Sequence, residues 1–257
     1  MILEPEDYLR LIEKVGDSAQ TVIPLHFLLT GQATVLVDDP ENLGNVVIRA
    51  DSQHPMVFCY GDDMGRLLPL LREAGRTRQL WAPAEFAEDI LATAREAYEI
   101  PLRMHRVEQK TVSRAPSVPQ PEDGIEVRRL DPEDAALMRN APEELQWLRE
   151  GWGTWERQLR EGIIVAAVRG LEVVSAAVTF GRSLRHDDIG VATSSGRQSK
   201  GLCTACGAGI AAAILSEGRV PVWTVAVDNH ASFRVSEKLG FATEYHAVGI
   251  CPEAPAP

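Results

Sequence analysis

Apolar positions recur along this chain with two alternating periods, and the alternation predicts an α/β fold. Tyr8, Leu11, Ile12 and Val15 share one face of a helix predicted over 6–14. Ala33–Val37 and Val46–Arg49 predict strands joined by the turn-rich Asp38-Asp39-Pro40-Glu41-Asn42, and Met56–Tyr60 predicts a buried strand. Helices are predicted over Leu67–Ala74 and Pro83–Tyr98. The period then stops. Arg114-Ala115-Pro116-Ser117-Val118-Pro119-Gln120-Pro121-Glu122-Asp123-Gly124 has three prolines and no aliphatic repeat, which marks a linker or an exposed crossover. It divides the chain into domains at 1–114 and 125–257, with 115–124 between them.

Beyond the linker the pattern resumes. Ile125–Arg129 predicts a strand, and Asp131 followed by Pro132 starts a helix. A Trp-containing stretch over Leu145–Leu159 follows, then strands over Ile163–Arg169 and Glu172–Phe180 around a turn at Gly170. Asp188–Ala192 predicts a strand, Leu202–Ser216 a helix, Val220–Val227 a strand, Ala231–Leu239 a helix, and Phe241 onward a last strand. The two halves share this rhythm without repeating each other's sequence. The tryptophans within Asn140–Gly153 are expected to seal the domain interface, with an acceptor pocket as the alternative.

One connection carries chemistry. Between the strand at 188–192 and the helix at 202–216 lies Gly196-Arg197-Gln198-Ser199-Lys200-Gly201. Such a loop aims several backbone N–H groups and the positive end of a helix at one spot, which favours an anion, most often phosphate. A strand-loop-helix unit without a ligand is the competing reading. Lys200 precedes Gly201, so the Gly-Lys-Ser/Thr ending of a Walker loop is missing, and no G-x-G-x-x-G occurs. ATP hydrolysis and hydride transfer are therefore disfavoured. The helix that follows contains Gly207 and Gly209, each costing roughly 1 kcal/mol relative to Ala. That cost implies close packing against a sheet or a ligand.

Composition narrows the partners. The chain has 257 residues, 45% hydrophobic and 25% charged, as in ordinary globular proteins. A net charge of −11 argues against a nucleic-acid binder and mildly favours cationic small molecules such as amines. No run approaches the roughly 20 apolar residues of a bilayer span. The acidic start, Met1-Ile2-Leu3-Glu4-Pro5-Glu6-Asp7, has no basic n-region, so a cytoplasmic location and no membrane partner are expected. Cys203 and Cys206 form a C-x-x-C without a second pair for zinc, so they and Cys59 and Cys251 are expected to be reduced thiols, with no metal.

A second stretch joins the loop: Asn229 as an N-cap, a helix, then Leu239-Gly240-Phe241. Gln198-Ser199-Lys200-Gly201-Leu202-Cys203 resembles the acyl-CoA signature Gln/Arg-x-x-Gly-x-Gly/Ala of the GNAT N-acetyltransferase superfamily, with Cys in the last small position. Asn229 with Gly240-Phe241 resembles its second signature, and together they cover about Ile125–Ile250. The first half, through Val35–Pro40 and Met56–Gly61, resembles a zwittermicin-resistance-like branch in which a degenerate GNAT-like half precedes the active one. Asp62 and Asp63 at its strand exit would repel a pyrophosphate, so no cofactor is expected there. The fold implied is α/β (α+β): tandem GNAT-like mixed, twisted sheets flanked by helices, the N-terminal half degenerate.

The resemblance also implies a reaction. Acetyl-CoA, as acyl donor, would lie in a splayed crevice between the strands carrying Val191 and Trp223. Backbone groups of Gln198, Ser199, Lys200, Gly201, Leu202, Cys203 and Thr204 would hold its pyrophosphate, with Asn229 and Ser232 on the same side. Val191, Ala192 and Thr193 would pair with the pantetheine arm and polarise the thioester carbonyl. A primary amine of a small molecule would attack directly after losing its proton to a base. Asp188 shares a strand face with Gly190 and Ala192 and is the first candidate, a solvated or salt-bridged carboxylate being the alternative. His186 is the second candidate, and His230 reads as exposed. Many members carry Tyr where this chain has Ser236, so protonation of the leaving thiolate falls to Ser236, Ser232 or water. A non-catalytic acyl-CoA-binding sensor or interaction module is the alternative function. Oligomeric state is open, a homodimer included.

Overall fold

The computed structural model describes residues 1–52, 54–122 and 124–253. Two compact units emerge: Met1–Glu108 with Ala226–Asp228 and Tyr245–Pro257, and Gln109–Val225 with Asn229–Glu244. The units are thus not the consecutive segments 1–114 and 125–257 that the proline-rich stretch suggested. Strand pairing draws the C-terminal segment into the first unit, and the linker, of which Asp123 lies outside the described residues, belongs to the second.

In the first unit the chain forms α1 (Tyr8–Val15), α2 (Val22–Leu29), β1 (Ala33–Val37), β2 (Val46–Ala50), β3 (Met56–Tyr60), α3 (Met64–Ala74), β4 (Gln79–Pro83), α4 (Ala87–Tyr98) and β5 (Leu102–Thr111). Pairing is antiparallel for β1–β2 and β2–β3 and parallel for β3–β4. Leu67 and Leu71 of α3 and Ile90 and Ala94 of α4 pack on Val47, Val57 and Leu80. Helix α2 is buried at every residue but Leu29, so no polar face marks its period, and the sequence pattern shows no helix there. At the start of α3 the Asp63 carboxylate accepts the Arg66 N–H, filling that helix N-terminus with the chain's own anion.

In the second unit follow β6 (Glu126–Arg129), α5 (Ala135–Arg139), a 3₁₀ turn at Glu143–Arg149, α6 (Trp155–Glu161), β7 (Ile164–Arg169), β8 (Glu172–Arg182), β9 (His186–Thr193), α7 (Leu202–Ser216), β10 (Val220–Ala226), α8 (His230–Lys238) and β11 (Ala242–Pro252). Strands β6 to β9 form an antiparallel meander, and β10 joins β9 in parallel. From Tyr245, β11 belongs to the first unit, where Ala247–Ile250 pair antiparallel with β4.

Leu202, Cys206, Ile210 and Ile214 of α7 pack on Val165, Ala167, Ala177 and Ile189, forming the core of this unit. The two glycines of α7 explain themselves here. A Cβ on Gly207 would lie 2.9 Å from Leu239 and 3.2 Å from Trp223, and one on Gly209 would lie 3.0 Å from Val165. The close approach is to the sheet and to Leu239 at the end of α8. Of the tryptophans within 140–153, Trp152 is buried, its Nε1 donating to Thr179 O of the same unit at 2.7 Å, and Trp147 is exposed; beyond them Trp155 is buried and its Nε1 donates to Gln146 Oε1 at 3.3 Å. Among the described residues no helix is long and apolar enough to cross a membrane.

Candidate functional site

Strand β9 is the spine of the site. One edge pairs with β8 from Asp187 to Thr193. The other edge meets β10 only at His186↔Val220, Asp187↔Pro221 and Asp188↔Val222. Both strands continue, β9 to Thr193 and β10 to Ala226. Past Asp188 that edge of β9 therefore leaves the ladder, and the strands part into a V. Its closed end is fastened by Asp187, which is fully buried between Arg182, at 2.7 Å, and Arg219, at 2.7 Å. Two guanidiniums on one carboxylate form charge-assisted bonds that hold the strands together where pairing exists.

The open end leads into the anion-favouring loop. Ser199 and Gly201 both have positive φ, 62° and 77°, the left-handed conformation that lets a loop turn its N–H groups towards an anion. Gly201 is the N-cap of α7, and the Ala205 N–H makes the helical bond to its carbonyl at 2.9 Å. The N–H groups of Leu202, Cys203 and Thr204 precede that bond and have no carbonyl within the helix to meet. A Cβ on Gly201 would meet nothing within 4 Å, so the space before the helix is open. Gln198, Ser199 and Lys200 are exposed. Two carboxylates brace the loop: Glu144 accepts the Ser195 N–H at 3.2 Å, and Glu122 pairs with Lys200 at 3.2 Å.

Asp188 sits where the strands part. It is buried rather than solvated, and the hydroxyl of Thr224 of β10 donates to its Oδ1 at 2.6 Å. Burial, with the neighbouring charge of Asp187 adding to it, pushes its carboxyl up to about 7 despite the opposing Thr224 hydrogen bond. A carboxylate poised there can exchange a proton near neutral pH. Strand alternation puts Gly190 on the same face as Asp188. A Cβ at Gly190 would come 3.2 Å from Leu148 and 3.4 Å from Phe180, so the 3₁₀ turn at Glu143–Arg149 crosses close over this face. Phe180 falls where the β8–β9 register slips, and the ring of Trp147, 43% exposed, lies 6.0 Å from it.

The other expected residues divide. Val191, Ala192 and Thr193 line the freed edge of β9, and Thr193 Oγ1 lies 2.7 Å from Ser175 Oγ. Asn229 is exposed and caps α8, accepting the Ser232 N–H at 3.3 Å. Ser236 does not fit the acid role. It is wholly buried, and its hydroxyl donates to the Phe233 carbonyl at 2.7 Å, the local back-bond of a helical serine. Ser232 is better placed: its Oγ accepts the Trp223 indole N–H at 3.0 Å, which leaves its own hydrogen available to donate. His186 is half-buried at the closed end of the V, and His230 is exposed. Burial pushes the Cys203 thiol up to about 11 and that of Cys206 up to about 12, as inert packing thiols. Among the described residues no group of three His, Cys, Asp or Glu side chains could hold a metal ion.

Thr224 and Glu144 are the residues sequence reasoning missed. Thr224 had a signal, because it shares the β10 face with Val222, the register partner of Asp188. Glu144 had none, since only the folded turn brings it to Ser195.

Residues 16–248 match the sequence profile of the GNAT acetyltransferase family. No curated protein matches the chain by sequence. Among solved structures, a GCN5-related N-acetyltransferase-like protein from Streptococcus suis superposes with a TM-score of 0.74 at 20% identity, covering 96% of this chain and 99% of that one. A GCN5-related N-acetyltransferase from Kribbella flavida gives 0.64 at 15% identity over 92% and 96% of the two chains. A tandem GNAT protein from the clavulanic acid biosynthesis pathway gives 0.62 at 13% identity over 98% and 96%. At these identities the structures speak to the fold.

Proposed function

This chain belongs to the GNAT acetyltransferase family and is an acyltransferase, and on that premise we propose that it moves an acetyl group from acetyl-CoA to a primary amine of a small molecule. The observation that carries this reading is the parting of β9 from β10 after Asp188↔Val222, directly above a loop with unfilled helix N–H groups. The loop from Gln198 to Thr204 takes the pyrophosphate, and the freed edge at Val191–Thr193 takes the pantetheine amides. The same edge offers N–H groups to the thioester oxygen.

Asp188 receives the proton of the attacking amine. Its side chain lies on the sheet face covered by the Glu143–Arg149 turn, and its carboxyl titrates near neutrality. The amine nitrogen forms the new bond to the carbonyl carbon, the carbon–sulfur bond breaks, and the departing thiolate takes a proton from Ser232 or from water. The net charge of −11 favours approach of an acceptor that is cationic in solution.

Purified protein incubated with acetyl-CoA and an amine library is expected to release free CoA thiol above the blank for a subset of amines. Absence of release for every amine would count against the acceptor class. The loop has its own test. Gly201→Glu sets a carboxylate in the open space before α7 on a backbone with φ of 77°, and should abolish CoA binding by calorimetry. Unchanged affinity would refute the placement of the pyrophosphate.

A further inference from the structure

In the first unit, three neighbouring strands, β4, β11 and β5, bring together side chains that acyl transfer does not use. Cys251 Sγ lies 3.9 Å from His105 Nδ1, within hydrogen-bond reach of sulfur. Gln79 Nε2 lies 3.5 Å from Nε2 of the same ring. The arrangement depends on Gly249: a Cβ there would collide with the His105 ring and lie 3.1 Å from the Gln79 amide. Glycine in a strand interior marks such a close approach.

We propose that Cys251 and His105 form a reactive thiol site that takes small disulfides. Cys251 and His105 are both partly exposed. Burial pushes the thiols of Cys59 and Cys206 up to about 12 and that of Cys203 up to about 11, which disfavours their thiolates. Burial, reinforced by Arg103 and opposed by Asp228, holds the His105 ring below the usual histidine range, so at neutral pH it is uncharged and can accept a proton. The Gln79 amide can turn its oxygen to the Nε2–H, which leaves the Nδ1 lone pair facing Cys251. His105 Nδ1 takes the thiol proton, and the thiolate attacks one sulfur of the disulfide. A Cys251–sulfur bond forms, the original sulfur–sulfur bond breaks, and the released thiolate recovers the proton from His105.

The test is full-length protein treated with dithiodipyridine, with release of thiopyridone followed by absorbance and adducts mapped by peptide mass spectrometry. One fast adduct is expected at Cys251, forming faster in the native protein than in the urea-unfolded chain at the same pH. His105→Gln should slow it by roughly a hundredfold, the low end of a positioned general base. A fast adduct at Cys203, or a Cys251 rate no higher than in the unfolded chain, would overturn the proposal. So would an unchanged rate in a folded His105→Gln protein. The comparison of native with unfolded wild type needs no variant, so it stands even where His105→Gln does not fold.

Discussion

Asp188 is held protonated by the fold, and that makes a stability prediction separate from activity. Its carboxyl moves from 3.8 to about 7 on folding. Roughly three units at 1.36 kcal/mol each place the cost of ionising it in the native state near 4 kcal/mol. The native chain keeps this proton while the unfolded chain releases it. The associated stability is therefore fully present below the unfolded value and is lost as pH rises towards the folded one. Asp188→Asn removes the titration but keeps an oxygen for the Thr224 hydroxyl. Urea melts at pH 5 and pH 8 should show the variant gaining on the wild type by about 3 kcal/mol across that interval. A difference that does not change with pH would refute the buried, proton-holding carboxyl.

The same group should set the acid limb of activity. As a base it works only when ionised, so kcat/KM should rise with pH to a plateau above about 7. The Thr224 hydroxyl, 2.6 Å from Oδ1, stabilises the ionised form. A hydrogen bond to a charged group contributes about 1.5–3 kcal/mol, so Thr224→Val should move the limb up by about 1–2 pH units, and Thr224→Ser should restore it. An acid limb near pH 4, or one that Thr224→Val leaves in place, would show that Asp188 is not the base.

Three further substitutions test the frame around it. Ser236→Ala should change kcat by less than about threefold, because its hydroxyl is bonded to Phe233 O; a loss of two orders of magnitude in steady-state assays would restore it as the acid. Asp187→Asn should cost about 3 kcal/mol in urea unfolding, at the low end for a broken buried ion pair because Arg182 and Arg219 keep some access to water. Gly207→Val should cost ~1–3 kcal/mol by overpacking, read by the same melts, since a Cβ already falls 2.9 Å from Leu239.

Legibility in the sequence followed local physics. The loop at 196–201 could be read because Gly201 and the apolar run after it state their own geometry, and Gly201 indeed takes φ of 77°. Asn229 and Gly240 were readable as caps for the same reason, and Gly240 has φ of 79°. Strand β4 and strand β5 were not read. Gln79–Pro83 is short and ends in proline, and Leu102–Thr111 is crowded with charged residues that the period-2 pattern discounts. The unit boundary was missed for a different reason. Proline content marks where a chain cannot form regular structure, but a unit is defined by pairing, and β11 pairs with β4.

The adjacent residues Asp187 and Asp188 show where such reading stops. In the sequence they are one acidic dipeptide. Strand alternation sends them to opposite faces, and the neighbours waiting there decide their chemistry. Asp187 meets Arg182 and Arg219 and locks the closed end of the V. Asp188 meets the neutral Thr224 hydroxyl and keeps its proton to near neutrality. The second effect depends on the first. Had either arginine reached the other face, it would have drawn Asp188 down into the ordinary carboxylate range, and a base that exchanges protons near pH 7 would not exist. Arg182 comes from β8 and Arg219 from the turn before β10, so the division of labour between the two carboxylates is a property of the strand order. It becomes visible only once β8, β9 and β10 lie side by side.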